Sequence, residues 1–334
     1  MAHLSGNGRE RGQLLLVGVL VLAAMFIVLA LVVNSAVFAE NLATREDVPG
    51  SEEAVEYRAE LVDGIGEIVV AINEDENVTS QSELENHTQN EIAMVRSRGG
   101  LSQAISGAVV EVSYRNATPG HRIAQENASR NLTDRNATED WTLAEDVTSV
   151  RNVGFQLRDV DTGGNFSRGF EMTVSNGTTW SLSVSEEGLT GVGADGLGAD
   201  EVAVTVETGT GDQAECVRDK PNATSPLTID VTGGTVDGEP CHALNRQADT
   251  TPMWLGAGVG DPYDIEFDNG GSVNGTYSMV VENASFDASL HSTYNESEPY
   301  VMDALYDVDL SYAYQNHAVA YEDTLRVAPG EVPP

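Results

Sequence analysis

Residues 170–184 read FEMTVSNGTTWSLSV, two short alternating runs on either side of a turn. In each run apolar and polar residues alternate, which is typical of a β-strand with one buried face and one exposed face. Asn176-Gly177 lies between them, and this dipeptide favours the positive φ angles of a two-residue hairpin turn. The stretch therefore predicts a β-hairpin in an antiparallel sheet.

Similar short runs continue on both sides of this hairpin, separated by Gly, Asn, Asp and Pro. The strand candidates are residues 153–157, 202–206, 227–231, 264–267, 276–281, 308–314 and 319–327. Many short strands with frequent turn signals are typical of two packed antiparallel sheets. We expect a β-rich, sandwich-like head over residues 141–334, with residues 188–200 and 209–226 as loop insertions.

The pattern changes to a helical period closer to the N-terminus. Apolar residues recur at spacings of three and four over residues 51–74, and less regularly over 81–98, where Gly99-Gly100 is expected to break the helix. Residues 101–112 fit either a third short helix or, at their end, a strand. These features predict a helical stalk over residues 40–115, then a polar, glycosylation-rich connection over 116–140. The expected fold class is α+β.

The N-terminal part contains a long uncharged run, residues 12–39. Its twenty positions from 14 to 33 would extend about 30 Å as a helix, which matches the hydrocarbon core of a bilayer. A cleavable secretory signal would have a shorter apolar core. We therefore predict a transmembrane helix over residues 13–39 that contacts membrane lipid through residues 14–38, preceded by a leader-like segment, residues 1–12.

Charges on either side of the run predict its orientation. Arg9 and Arg11 precede it against Glu10, whereas Glu40, Arg45, Glu46 and Asp47 follow it closely. By the positive-inside tendency, the N-terminus is cytoplasmic and the C-terminal ectodomain is extracellular. The expected localisation is a single-pass protein of the cell membrane.

The sequence Arg9-Glu-Arg-Gly-Gln-Leu-Leu-Leu, followed at once by the apolar run, resembles the class III signal of archaeal type IV pilins and archaellins. In that family a membrane peptidase cuts after a glycine that follows basic residues. The resemblance implies cleavage between Gly12 and Gln13, and contacts with other pilin-like subunits through the N-terminal helix. Bacterial pilins carry Glu at the fifth mature position, which here is Val17. A permanent, uncleaved anchor is the alternative.

The overall charge points to an unusual environment. Asp and Glu number 53 against 17 Lys and Arg, a formal net charge of −36, and Lys220 is the sole lysine. Repulsion between so many carboxylates is screened at molar salt, where the Debye length is about 3 Å. This composition resembles that of haloarchaeal proteins. It also disfavours nucleic-acid partners, which require a basic surface.

Two further features agree with an exported chain. The cysteines Cys216 and Cys241 are expected to form a disulfide outside the cell, although a metal site with the adjacent His242 is the alternative. Asn-x-Ser/Thr sequons also occur only beyond the apolar run. The candidate N-glycosylation acceptors are Asn77, Asn86, Asn116, Asn127, Asn131, Asn136, Asn165, Asn176, Asn222, Asn274, Asn283 and Asn295.

No motif in the sequence indicates catalysis. Residues 191–196 match a dinucleotide-binding pattern as a string, but they lie in an acidic, glycine-rich segment without the strand–turn–helix context. The six histidines are scattered, and small Asp groups such as Asp303, Asp307 and Asp309 are expected by chance in so acidic a chain. Tyrosines 300, 306, 312, 314 and 321 fit cross-strand packing. We predict no catalytic residues, cofactor or metal.

The sequence thus favours a structural and interaction protein, a pilin-like, membrane-anchored surface subunit that is not an enzyme. A solitary membrane-anchored binding module of the cell envelope is the alternative, and a surface hydrolase is a distant third. Processing residues would be Arg9, Arg11, Gly12 and Gln13.

Overall fold

The computed structural model describes residues 51–161, 168–189, 197–198, 200–244, 253–294 and 297–331. Two α-helices come first, α1 (Ser51–Asn73) and α2 (Gln81–Ser106). The strands that follow are β1 (Val109–Gln125), β2 (Trp141–Val147), β3 (Ser149–Val160), β4 (Phe170–Ser175), β5 (Thr179–Ser185), β6 (Glu201–Glu207), β7 (Gln213–Asp219), β8 (Leu227–Asp230), β9 (Thr235–Val236), β10 (Glu239–Pro240), β11 (Tyr263–Asp268), β12 (Val273–Glu282), β13 (Tyr300–Gln315) and β14 (Ala320–Val327).

The described strands form two sheets. The larger has the order β10-β9-β8-β3-β12-β1-β13-β14, and the smaller has the order β2-β11-β4-β5-β6-β7. Neighbouring strands within each sheet are antiparallel. The prediction of mainly antiparallel, sandwich-like β structure is confirmed. The predicted hairpin is β4 paired with β5, and its Gly177 has a φ of 71°, which glycine adopts without a steric penalty.

The main core lies between the two sheets. Its centre is a group of aromatic rings, with Phe155 and Tyr277 from the larger sheet and Phe170 and Phe267 from the smaller. The Phe267 ring meets Phe170 at 5.0 Å and Tyr277 at 5.1 Å, both edge to face. Such contacts add to the free energy that burial of the rings already contributes. The sandwich is therefore closed by side chains from both sheets.

A second core lies between the helices and the larger sheet. The buried stripe of α1 includes Leu61, Ile65 and Val69, and it packs in one cluster with Leu310 of β13 and Leu325 of β14. A helix with an apolar stripe must bury that stripe against another element, and here the sheet provides the surface. The helices predicted as a stalk therefore share a core with the β-rich part instead of forming a unit of their own.

The end of α2 corrects the predicted break at Gly99-Gly100. The helix runs through both glycines and stops at Gly107, whose φ is 85° and whose N–H bonds the Ala104 carbonyl. The Tyr57 hydroxyl lies 2.1 Å from where a Cβ on Gly99 would be. Gly99 therefore lets α1 and α2 approach closely, and this packing outweighs the low helix propensity of glycine.

Strand β1 corrects two predicted boundaries. It begins at Val109, inside the predicted stalk, and runs to Gln125, inside the predicted connection, so only residues 126–140 lie between strands. β1 is an inner strand, paired with β12 on one side and β13 on the other. Pairing with β13 runs along almost the whole strand, and residues 121–125 also pair with β12, which holds residues 116–125 in the sheet although they include few large apolar side chains. The β-rich part therefore starts at 109 and not at 141.

The predicted loop at 209–226 needs a similar correction. Residues Gln213–Asp219 form β7, which pairs with β6 at the edge of the smaller sheet. The other predicted insertion, residues 188–200, lies largely outside the described residues.

No helix within the described ranges is both long and apolar enough to cross a membrane. The predicted span, residues 13–39, and the leader-like segment lie outside those ranges.

Candidate functional site

The first described turns of α1 follow the predicted membrane segment in the chain, and side chains of the larger sheet hold them in place. Tyr312 Oη donates a hydrogen bond to the Ala54 carbonyl at 3.0 Å, and Tyr314 Oη donates one to Glu53 Oε2 at 3.1 Å. The Tyr57 ring stacks on Tyr312 with centroids 6.3 Å apart. We call Tyr57, Tyr312 and Tyr314 the tyrosine clamp. It fixes the N-terminal end of α1 to β13.

Next to the tyrosine clamp, an ion pair joins α1 to the edge strand β14. Arg58 Nε lies 2.9 Å from Asp323 Oδ2, and this hydrogen bond lowers the pKa of the Asp323 carboxyl. Burial raises the pKa of Tyr312, so its hydroxyl stays protonated and remains a donor at any physiological pH. The sequence prediction of tyrosine packing on the sheet did not include these contacts with α1.

The far end of α1 is fixed by two buried polar side chains. Asn73 Nδ2 donates to the Leu305 carbonyl at 2.9 Å, and Asn73 Oδ1 accepts from the Leu305 N–H at 2.8 Å. Leu305 lies where β13 shifts register against β1. The Arg151 guanidinium donates to the carbonyls of Leu305, Tyr306 and Pro329 at 2.8, 2.6 and 2.7 Å. These bonds tie α1, β3, β13 and the segment after β14 together.

Arg151 is fully buried, and its charge is balanced at a distance. Desolvation lowers its pKa to about 10, and electrostatic interactions with Tyr306, Glu331 and Asp307 partly offset this by raising the pKa. Arg326 pairs with Asp307 at 2.5 Å and with Glu331. Sequence reasoning missed Asn73 and Arg151, because a single polar residue at a helix end or in a strand has no signal that marks it as buried.

Most of the sequon asparagines within the described residues lie on exposed parts of the surface. Ten of the twelve asparagines are in the described residues, and Asn127 and Asn274 among them are half-buried. The exposed ones are Asn77, Asn86, Asn116, Asn131, Asn136, Asn176, Asn222 and Asn283. A glycan needs an exposed acceptor, so their placement is compatible with modification. Asn165 and Asn295 lie outside the described residues.

The predicted disulfide is confirmed. Cys216 of β7 and Cys241, which follows β10, are bonded, with their Cα atoms 5.8 Å apart. The bond joins an edge strand of the smaller sheet to an edge of the larger one. His242 Nδ1 lies 3.7 Å from the Cys216 sulfur, but a disulfide sulfur is not a thiolate ligand, which argues against the alternative zinc site.

A groove runs between α1 and the segment that follows β14. It has a volume of about 790 Å³, and its lining includes the apolar side chains Val62, Val70 and Pro329 and carboxylates such as Asp63 and Glu67. Its lining offers hydrogen-bond acceptors but no histidine, cysteine or serine. The lining therefore combines apolar side chains with charges of both signs, four carboxylates and the Arg326 guanidinium.

The remaining candidates for chemistry are dispersed. His291 is buried against Trp141, with ring centroids 5.3 Å apart, and His121 lies 3.9 Å from Asp303. Asp307 pairs with Arg326, and Asp264 accepts a bond from the Asp146 N–H. Within the described ranges no three His, Cys, Asp or Glu side chains are grouped to hold a metal ion. Residues 191–196 lie outside those ranges.

The predicted processing residues, Arg9, Arg11, Gly12 and Gln13, and the lipid-contacting run 14–38 also lie outside the described residues. Comparison with other proteins gives no further assignment, because no protein-family model, curated protein or solved structure matches the chain.

Proposed function

We propose that this chain is a pilin-like, membrane-anchored surface subunit of a halophilic archaeon, with a structural and interaction role and no catalysis. The observation that carries the proposal is the order Arg9-Glu-Arg-Gly-Gln followed directly by the uncharged run, residues 12–39. A disulfide-linked sandwich then follows this apolar run, and ten of its sequon asparagines are at least partly accessible.

In this proposal each part of the chain has a physical task. The apolar run holds the protein in the membrane, with the residues before it in the cytoplasm and residues 40–334 outside the cell. Cleavage after Gly12 would remove Arg9 and Arg11, whose charges resist movement of the helix out of the bilayer. The freed helix could then pack with the helices of neighbouring subunits. The acidic surface keeps the outer part soluble at molar salt.

Assembly is tested with one pair of variants expressed in a halophilic archaeal host. Gly12→Leu places a bulky side chain at the proposed cleavage bond, whereas Gly8→Leu makes the same change in the leader, four residues away. We expect the wild type and Gly8→Leu to sediment with sheared surface filaments, and Gly12→Leu to stay with the membranes. Filament fractions that contain Gly12→Leu in wild-type amounts would contradict the proposal.

A solitary binding module is the second candidate, and the groove beside α1 favours it. In that case the wild type would remain uncleaved and would stay with the membrane fraction after shearing. The shearing experiment therefore separates the two functions.

A further inference from the structure

Helix α2 carries two apolar stripes, and only one of them is buried. Leu84, Ile92 and Val95 face the core between the helices and the larger sheet. Met94, Leu101 and Ile105 follow each other at spacings of seven and four, so they share another face, which points to solvent. Leu101 is 70% exposed and Ile105 is 85% exposed. A soluble helix normally exposes polar side chains on this face.

Two more exposed apolar side chains belong to segments next to the C-terminal end of α2. Val55 in the first turns of α1 is 59% exposed, and Val109 at the start of β1 is 68% exposed. Tyr57 of α1 touches α2 at Gly99, so the start of α1 and the end of α2 lie side by side. We call Val55, Met94, Leu101, Ile105 and Val109 the apolar tip. Within the described ranges these five are the exposed large hydrophobic residues.

The charge at the apolar tip also differs from the rest of the chain. Residues 92–110 contain no Asp or Glu, in a protein with 53 of them, but they include Arg96 and Arg98. Both arginines are exposed, and neither forms an ion pair in the part of the chain that the structure describes. Glu52 and Glu56 border the tip on the α1 side, and the exposed Glu111 borders it on β1. Apolar side chains flanked by arginine match an anionic, apolar surface.

The tip also lies at the end of the fold that is tied to the membrane run. Ser51 begins α1, and eleven residues, 40–50, separate it from the end of that run. So short a segment reaches at most about 40 Å, and it holds the tip near the bilayer at a high effective concentration. A second copy of the chain could also cover the tip, but such a copy is not tethered beside it.

We propose that the apolar tip docks onto the outer surface of the lipid bilayer, with Leu101, Ile105 and Val109 in the interfacial region and Arg96 and Arg98 at anionic headgroups. This contact rests on the proposed function, because it requires the chain to be anchored through residues 14–38. It would set the orientation of the sandwich on the membrane before assembly.

The test uses the full-length chain in vesicles of anionic phosphatidylglycerol at molar salt. Ile105→Cys is labelled with an environment-sensitive fluorophore, and Ser82→Cys, exposed on the same helix about 35 Å away, is the matched control. Vesicles with brominated acyl chains report depth. We expect quenching of roughly two-fold or more at residue 105 and almost none at residue 82.

Flotation of the vesicles separates failure of docking from failure of anchoring. Protein that floats with equal quenching at both positions would overturn the docking and leave the anchored function in place. Protein that floats and forms dimers linked through Ile105→Cys, without quenching, would show that a second copy covers the tip, which also overturns the proposal. Protein that does not float would refute the membrane anchor itself, and the docking with it.

Discussion

Asn73 offers a sharp test of how the helices are joined to the sheet. The change Asn73→Ala removes a side chain that is 2% exposed and that bonds both backbone groups of Leu305. After the substitution the Leu305 carbonyl keeps its bond from Arg151 Nη2 at 2.8 Å. The Leu305 N–H, in contrast, loses its side-chain acceptor in a buried place.

The expected cost follows from these two outcomes. A buried donor left without a partner costs about 1–3 kcal/mol, and a lost bond whose acceptor keeps another donor costs about 0.5–1.5 kcal/mol. We therefore expect Asn73→Ala to lower the free energy of unfolding by about 1.5–4.5 kcal/mol. Asn73→Asp should cost more, because a carboxylate oxygen would then face the Leu305 carbonyl without a proton between them.

The assay is unfolding of the full-length chain in detergent by guanidinium chloride, at constant molar salt and with tryptophan fluorescence as the signal. Asn90→Ala is the matched control, since Asn90 is exposed on α2 and the change should alter stability by less than about 0.5 kcal/mol. Equal midpoints for Asn73→Ala and Asn90→Ala would refute the view that this side chain joins α1 to β13.

Three further predictions concern the same folded chain. Replacement of Cys216 and Cys241 by alanine should lower the free energy of unfolding by about 3–4 kcal/mol, from the entropy of the 25-residue ring in the unfolded state; a loss under about 1 kcal/mol in the same assay would contradict this. Burial lowers the pKa of His121 and of His291 below 6.5, so the unfolded chain binds more protons as the pH falls. The contribution of these two histidines to the free energy of unfolding should therefore be fully present above pH 6.5. It should be lost as the pH falls from there toward their lower folded-state pKa values. An unfolding midpoint that does not change between neutral pH and pH 5 would argue against this. Because the net charge is −36, dialysis to low salt should abolish the β-sheet circular dichroism signal, and an unchanged spectrum would disprove this.

Local signals in the sequence predicted much of the architecture. The hairpin at Asn176-Gly177 depends on turn chemistry between adjacent residues, and α1 depends on a periodic stripe within one helix. Both were predictable because the relevant interactions are local. The disulfide was predictable because the chain has two cysteines and their partner choice is not ambiguous.

The errors arise where distant contacts decide the structure. Gly99-Gly100 does not end α2, because Tyr57 packs into the space that glycine leaves. β1 is held by pairing with β12 and β13, which lie far along the chain and do not show in its own side-chain pattern. Asn73 and Leu305 are 232 residues apart. A pattern that is read locally cannot reveal such a pair.

The apolar tip is an intermediate case. The spacing of Met94, Leu101 and Ile105 and the absence of acid from residues 92–110 are visible in the sequence. Only the fold shows that these side chains are exposed and that Val55 and Val109 are exposed as well. The sequence shows the apolar spacing and the absence of acidic residues, but only the exposure of each side chain in the fold shows that the stripe faces solvent.

The central claim, that a pilin-like leader precedes the membrane run, is tested most directly at one peptide bond. The measurement is the N-terminal residue of the protein isolated from sheared surface fractions of its host, determined by mass spectrometry of the first peptide. The account predicts a chain that starts at Gln13, after cleavage of the Gly12–Gln13 bond. A chain that starts at Met1 or Ala2 would contradict it.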